Sequence, residues 1–145
     1  MNSKHDYIAV FDSGVGGISV LRHLVRWLPG ERFLYFGDSA NAPYGSRTTE
    51  EVRKLTLAAA KKLITEYPIK ALVIACNTAT AAAVKQLRET YPDLIVIGIE
   101  PALKVAADSF PGGRIGVMAT EVTLREEKFD LLLHRFDENC TITKI

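Results

Sequence analysis

Five short apolar runs constrain this chain more than anything else in it: Tyr7 to Phe11, Phe33 to Phe36, Ala71 to Ala75, Leu94 to Ile99 and Ile115 to Ala119. None alternates apolar with polar residues, as a strand with one wet face would, so each reads as a strand covered on both faces. Helical stripes lie between them: Leu21, Leu24, Val25 and Leu28, then Val52, Leu55, Ala59 and Leu63, then Phe129, Leu132, Leu133 and Phe136. Strand and helix in alternation predict an α/β fold, an open parallel sheet with flanking helices.

Punctuation between the runs agrees with that order. Thr48-x-x-Glu51 and Thr123-x-x-Glu126 have capping-box spacing, and Pro101 stands where a helix can begin after Glu100. Pro29-Gly30 and Pro111-Gly112-Gly113 close the elements before them, the second being the best internal linker. The final residues, Cys140 to Ile145, alternate like the opening of a strand and then stop, so the chain is expected to be incomplete.

Charge and cysteine usage exclude several classes. A formal net charge of +1, with no block of like charges, lacks the basic footprint of a nucleic-acid binder. No apolar stretch reaches the ~18 residues of a membrane span, and Met1 to Asp6 carries no apolar signal segment, so a cytoplasmic protein without membrane contact is expected. Cys76 and Cys140 are the only cysteines and form no C-x-x-C pair, which argues against a disulfide framework or a zinc site. His5, His23 and His134 lack metal-ligand spacing and read as solvated or capping residues.

Ligands of open α/β sheets bind beyond the carboxyl ends of the strands, so the loops after each run carry the functional signal. Asp12-Ser13-Gly14-Val15-Gly16-Gly17 puts a carboxylate and a hydroxyl before an N–H-rich turn, suited to the two charged ends of an amino acid. It is neither a dinucleotide fingerprint nor a P-loop, and on its own it fits equally a tight turn with Asp12 as helix cap. Gly37 to Ser46 is longer than a plain connection needs; Tyr44 and Ser46 can close over a small polar ligand, or the loop can be a surface excursion with its tyrosine packed down. Cys76-Asn77-Thr78 sets a thiol at a strand end, facing the next helix N-terminus, where dipole and free N–H groups favour a thiolate. Free cysteines are more often small buried hydrophobes, but the polar residues after Cys76 weaken that alternative.

Read together, Asp12 to Gly17, Pro43-Tyr44-Gly45 and Ala75-Cys76-Asn77-Thr78-Ala79 resemble the glutamate racemases of the aspartate/glutamate racemase superfamily, over about Tyr7 to Thr123. Ile99-Glu100-Pro101 and Gly116 to Thr120 resemble segments that open the family's second domain. The resemblance implies the first α/β domain of a two-domain racemase fold at 5–99 and the truncated beginning of a second at 100–145. It implies inversion of L- and D-glutamate for peptidoglycan, with no pyridoxal phosphate, metal or other cofactor. Cys76 would be one of two thiol bases and Asp12 its assistant, while Asp12, Ser13, Pro43, Tyr44, Gly45, Asn77 and Thr78 would hold the substrate. Thr120 and Thr123 would complete the pocket.

Inversion explains the need for two thiols. A single base on one face returns the proton to that face; a thiolate and a thiol on opposite faces turn removal and delivery into inversion. The family's second cysteine, in a Cys-Thr-His motif, is absent, since Cys140-Thr141-Ile142 comes too early and lacks the histidine. The 145 residues alone are therefore expected not to racemise, unless two copies form a homodimer in which each Cys76 serves the other's site. An aspartate or broad-specificity amino-acid racemase and a non-catalytic glutamate-binding module are the alternative readings.

Overall fold

The computed structural model describes residues 6–100, 102–125, 127–134 and 140–145. Four parallel strands form the main sheet: β1 (Tyr7–Asp12), β2 (Arg32–Gly37), β3 (Ile69–Ile74) and β4 (Ile95–Gly98), in the order β2-β1-β3-β4. The connecting helices are α1 (Ile18–Trp27), α2 (Thr49–Glu66) and α3 (Asn77–Thr90). Beyond them come α4 (Leu103–Ser109), β5 (Arg114–Val117), α5 (Glu121–Arg125), α6 (Glu127–His134) and β6 (Thr141–Lys144). β5 does not join the main sheet but pairs in parallel with β6.

The two faces of the main sheet are packed unequally. On one, Ala9, Phe11, Leu72, Ile74 and Val96 meet Val52, Ala59, Ala60 and Leu63 of α2 and the alanine-rich face of α3. On the other, Val10, Val73 and Ala75 meet Val20, Leu21 and Leu24 of α1. Gly17 permits that approach, because a Cβ there would lie 2.7 Å from the Asp12 Cβ and 3.0 Å from the Ala75 Cβ. The smaller sheet has its own cluster, in which Leu103, Ala107, Phe129, Leu133 and Cys140 are buried beside Ile115 and Ile142.

Several expectations need correction. Val25 and Leu28 continue the stripe of α1 in sequence but face outward, because a single helix lying over β1 and β3 turns only Val20, Leu21 and Leu24 inward. β4 is not covered on both faces: Ile95 and Ile97 are 54% and 49% exposed, as no described helix lies over that end of the sheet on the α1 side. The second expected capping box is displaced, since α5 begins at Glu121 and Thr123 lies inside it; its backbone N–H reaches the Thr120 hydroxyl at 3.4 Å. Pro101, Glu126, Phe136 and His5 lie outside the described residues. Among the described residues no helix is long and apolar enough to cross a membrane.

The first capping box forms as read: Thr48 Oγ1 accepts the Glu51 N–H at 3.2 Å, and Glu51 Oε2 accepts the Thr48 N–H at 2.9 Å. The bonds from the Thr48 backbone and then its hydroxyl hold the Glu51 carboxyl below its ordinary value of 4.5. A depressed carboxyl contributes stability that is present above the unfolded-state value and lost as pH falls through the folded one. Thr48→Ala is expected to cost about 1 kcal/mol near neutral pH in urea melts. Its deficit against wild type should narrow as the melts are moved below pH 4.5.

Candidate active site

Strand order dictates where a cavity can open. The chain leaves β1 toward β2 on one side and later adds β3 on the other, so α1 and α3 depart to opposite faces and leave a crevice at the carboxyl ends of β1 and β3. Backbone bonds carry the ladder past the strand ends on both flanks: Ala75 N donates to Phe11 O at 2.7 Å, and Asp38 N to Asp12 O at 2.9 Å. The loops after β1, β2 and β3 are thereby registered against one another.

Asp12 and Cys76 close those two strands, and both are buried. Asp12 is not the cap of α1: that helix starts after Gly17, and Asp12 Oδ2 instead accepts the Gly14 N–H at 3.0 Å, tightening the glycine turn. Tyr35 supports the same turn by donating its hydroxyl to the Gly14 carbonyl at 2.9 Å. Its phenol pKa is raised, first by burial and then by the Asp12 carboxylate. Cys76 is the N-cap of α3, with its sulfur accepting the Ala79 N–H at 3.4 Å and lying 3.3 Å from the Ser13 hydroxyl. An anion at this sulfur meets a helix N-terminus, one N–H and one hydroxyl.

The third wall comes from the segment after β5. Thr78 and Thr120 hydroxyls lie 2.9 Å apart, and Thr120 and Thr123 hydroxyls 3.2 Å apart, joining α3 to the smaller sheet by a chain of three hydroxyls. Asp12, Cys76, Asn77, Thr78, Thr120 and Thr123 all line one cavity of about 660 Å³. Asn77 is exposed on its wall. Ser13 reaches the site through the sulfur rather than as a lining residue.

The loop after β2 contributes differently from the sequence reading of a tyrosine closing over ligand. Tyr44 is 2% exposed, its ring packs on Phe11, and its hydroxyl donates to Asp38 Oδ2 at 2.6 Å. Burial, then the bond to Asp38 and the charges of Asp38 and Cys76, push the Tyr44 phenol far above its ordinary value of 10.0. Pro43 is exposed, and Ser46 Oγ donates to the Pro43 carbonyl at 3.4 Å. Gly45 reaches the site by contact, since a Cβ there would stand 2.5 Å from Thr120 Cγ2. Two groups of residues were missed from sequence. One is the buried carboxylate of Asp38, signalled only by its place directly after a strand; the other is the apolar wall added by Leu103 and Ala106, which no motif marks.

A parallel sheet with a thiol and a carboxylate at its switch point and three threonine hydroxyls on the same cavity is the arrangement of an open α/β protein with its cleft at the strand ends. The Asp/Glu/Hydantoin racemase family profile matches residues 8–140, and the chain belongs to that family. Among its relatives is the glutamate racemase of Clostridium acetobutylicum, 52% identical over 145 residues, which are all of this chain and 56% of that protein. A crystal structure of the glutamate racemase isoform RacE1 from Bacillus anthracis superposes with a TM-score of 0.83 at 38% identity, over 98% of this chain and 53% of the other. The Escherichia coli glutamate racemase, in complex with L-glutamate and the activator UDP-MurNAc-ala, gives a TM-score of 0.88 at 33% identity, over 97% and 53%. The chain spans about half the length of the curated relatives it matches.

Burial of the Tyr44 phenol has a measurable consequence. A group whose folded pKa is raised contributes stability that is complete below its unfolded value and lost as pH rises through the folded one. Phenolate absorbance of the five tyrosines during base titration is expected to show a component delayed beyond pH 10.0, coincident with unfolding. Tyr44→Phe should remove part of that component and leave the smaller delay of Tyr35.

Proposed function

We propose that this chain supplies one catalytic face of a glutamate racemase, acting without a cofactor by proton transfer at Cα and serving D-glutamate supply for peptidoglycan. The carrying observation is the placement of Cys76: a thiol at the N-terminus of α3, 3.3 Å from the Ser13 hydroxyl, on the wall of a cavity that also holds Asp12 and the three threonines. As a thiolate, Cys76 takes the Cα proton from one face, and Asp12 assists that transfer. Hydroxyls of Thr78, Thr120 and Thr123, the Asn77 amide and backbone N–H groups hold the carboxylates and stabilise the carbanionic state. Pro43, Tyr44 and Gly45 complete the substrate site by shaping the wall behind Thr120.

The opposing thiol must come from outside the pocket described. Cys140 is buried in the smaller sheet's cluster and bonds the Phe110 carbonyl at 3.4 Å, so it has no access to the cavity. It comes from the part of the relatives' length that this chain does not span, or from a second copy in a homodimer. The reading assigns 5–99 to a first domain and 100–145 to the beginning of a second, in a protein of the cytoplasm, where the thiol stays reduced.

A related specificity is favoured by the family profile, whose description spans aspartate and hydantoin as well as glutamate. Comparing rates on glutamate and aspartate separates the two. Polarimetry of L-glutamate with the 145-residue chain alone is expected to show no inversion, and a measurable rate would overturn the requirement for a second thiol. In a protein extended to the relatives' full length, Cys76→Ala should abolish inversion and confine solvent deuterium uptake at Cα to the enantiomer whose proton faces the other thiol. Retained inversion, or uptake from both enantiomers, would remove Cys76 from the chemistry, whereas glutamate binding by calorimetry with no uptake in either protein would favour a binding module.

A further inference from the structure

We propose that Asp38, which no reading of the sequence picked out, is a positioning residue: its buried carboxylate locks the loop after β2 so that Gly45 holds Thr120 against Thr78 at the mouth of the site. Asp38 is 9% exposed. Its backbone N–H is fixed to the Asp12 carbonyl at 2.9 Å, so its carboxylate stands at a defined place beside the crevice. Three contacts converge on that carboxylate: the Tyr44 hydroxyl at 2.6 Å, and the Asn41 side-chain amide at 2.9 Å and 3.1 Å from its two oxygens. Arg47 does not neutralise it but donates to the Asn41 carbonyl from Nε and Nη2, at 3.0 Å and 2.8 Å, closing the far side of the same loop.

The chain of contacts then runs directly into the site. Tyr44, held by Asp38 at one end and by the Phe11 ring tilted against it at 6.3 Å, fixes the backbone of the next residue, Gly45. Gly45 has no space for a Cβ because Thr120 is already there, so the position of one is the position of the other. Thr120 in turn meets Thr78, two residues from Cys76. A carboxylate suits the first link, since Tyr44 and Asn41 both bring donors to it and its two oxygens accept from both. An amide in its place brings an NH₂ where an oxygen accepts, so Tyr44 or Asn41 must turn away from its present bond or leave a buried group unpaired.

The inference that this placement matters for ligand rests on the proposed function, whereas the placement itself can be read without ligand. Asp38→Asn is expected to lose the nuclear Overhauser contact between Gly45 Hα and the Thr120 methyl, and to raise the carbamidomethylation rate of Cys76 about fivefold. Its calorimetric affinity for L-glutamate should fall about tenfold. A control truncation in the core of α2, Leu63→Ala, lowers stability but should leave the Overhauser contact unchanged. Should Asp38→Asn fail to fold, Tyr44→Phe keeps the ring packing, removes the hydroxyl, and is expected to move the same two readouts in the same direction. A folded variant of either kind that keeps the Gly45–Thr120 contact and the wild-type thiol rate overturns the proposal. If the wild-type chain itself does not bind glutamate, the functional reading fails, and the two ligand-free readouts still decide the role of Asp38.

Discussion

The ladder of backbone hydrogen bonds on both sides of β1 is the constraint on which the rest of this structure depends. β1 is the only strand in the main sheet whose two neighbours, β2 and β3, are reached by connections leading to opposite faces. One consequence is hydrophobic: Val10 and Ala9, adjacent in sequence, are both fully buried, one under α1 and the other under α2 and α3. The other is functional. Because the covering helices diverge, Asp12 and Cys76 come to share an opening at the carboxyl ends of β1 and β3.

Polar residues around that opening are arranged in two tiers. The inner tier is Cys76 with Ser13 and the Ala79 N–H, and the hydroxyls of Thr78, Thr120 and Thr123. The outer tier, Tyr35 on the Gly14 carbonyl and Asp38 with Tyr44 and Asn41, touches loops. Both tyrosines of the outer tier have their phenol pKa raised by burial, so their hydroxyl protons stay in place as donors through the neutral range. Buried donors with fixed acceptors hold the loops around the opening in one geometry.

What could be read from sequence followed from local rules. Apolar runs without alternation marked β1 and β3, the Thr48-x-x-Glu51 spacing marked the start of α2, and the alternation from Cys140 onward marked β6. The places of Asp12 and Cys76 were legible because strand ends in a parallel sheet lie at one edge wherever the strands sit. Features set by distant contacts were not legible. Nothing local distinguishes Val25, which faces outward, from Leu24, which packs inward. The direction of the Tyr44 ring depends on Phe11 and Asp38, and the pairing of β5 depends on β6, so neither belongs to the loop or the strand alone. Thr120 replaced Thr123 at the start of α5 because its hydroxyl is also drawn to Thr78 across the site.

The uncovered side of β4 bears on how this polypeptide behaves in a test tube. Ile95 and Ile97 lie on the last strand of the main sheet, where a strand edge and apolar side chains are presented together. Edges of that kind associate unless charge keeps copies apart, and a formal net charge of +1 supplies almost no such repulsion. Colloidal behaviour and folding stability are therefore separate properties here. A polypeptide whose interior is well packed around Leu72 and Ile74 can still precipitate from concentrated solution through such a face.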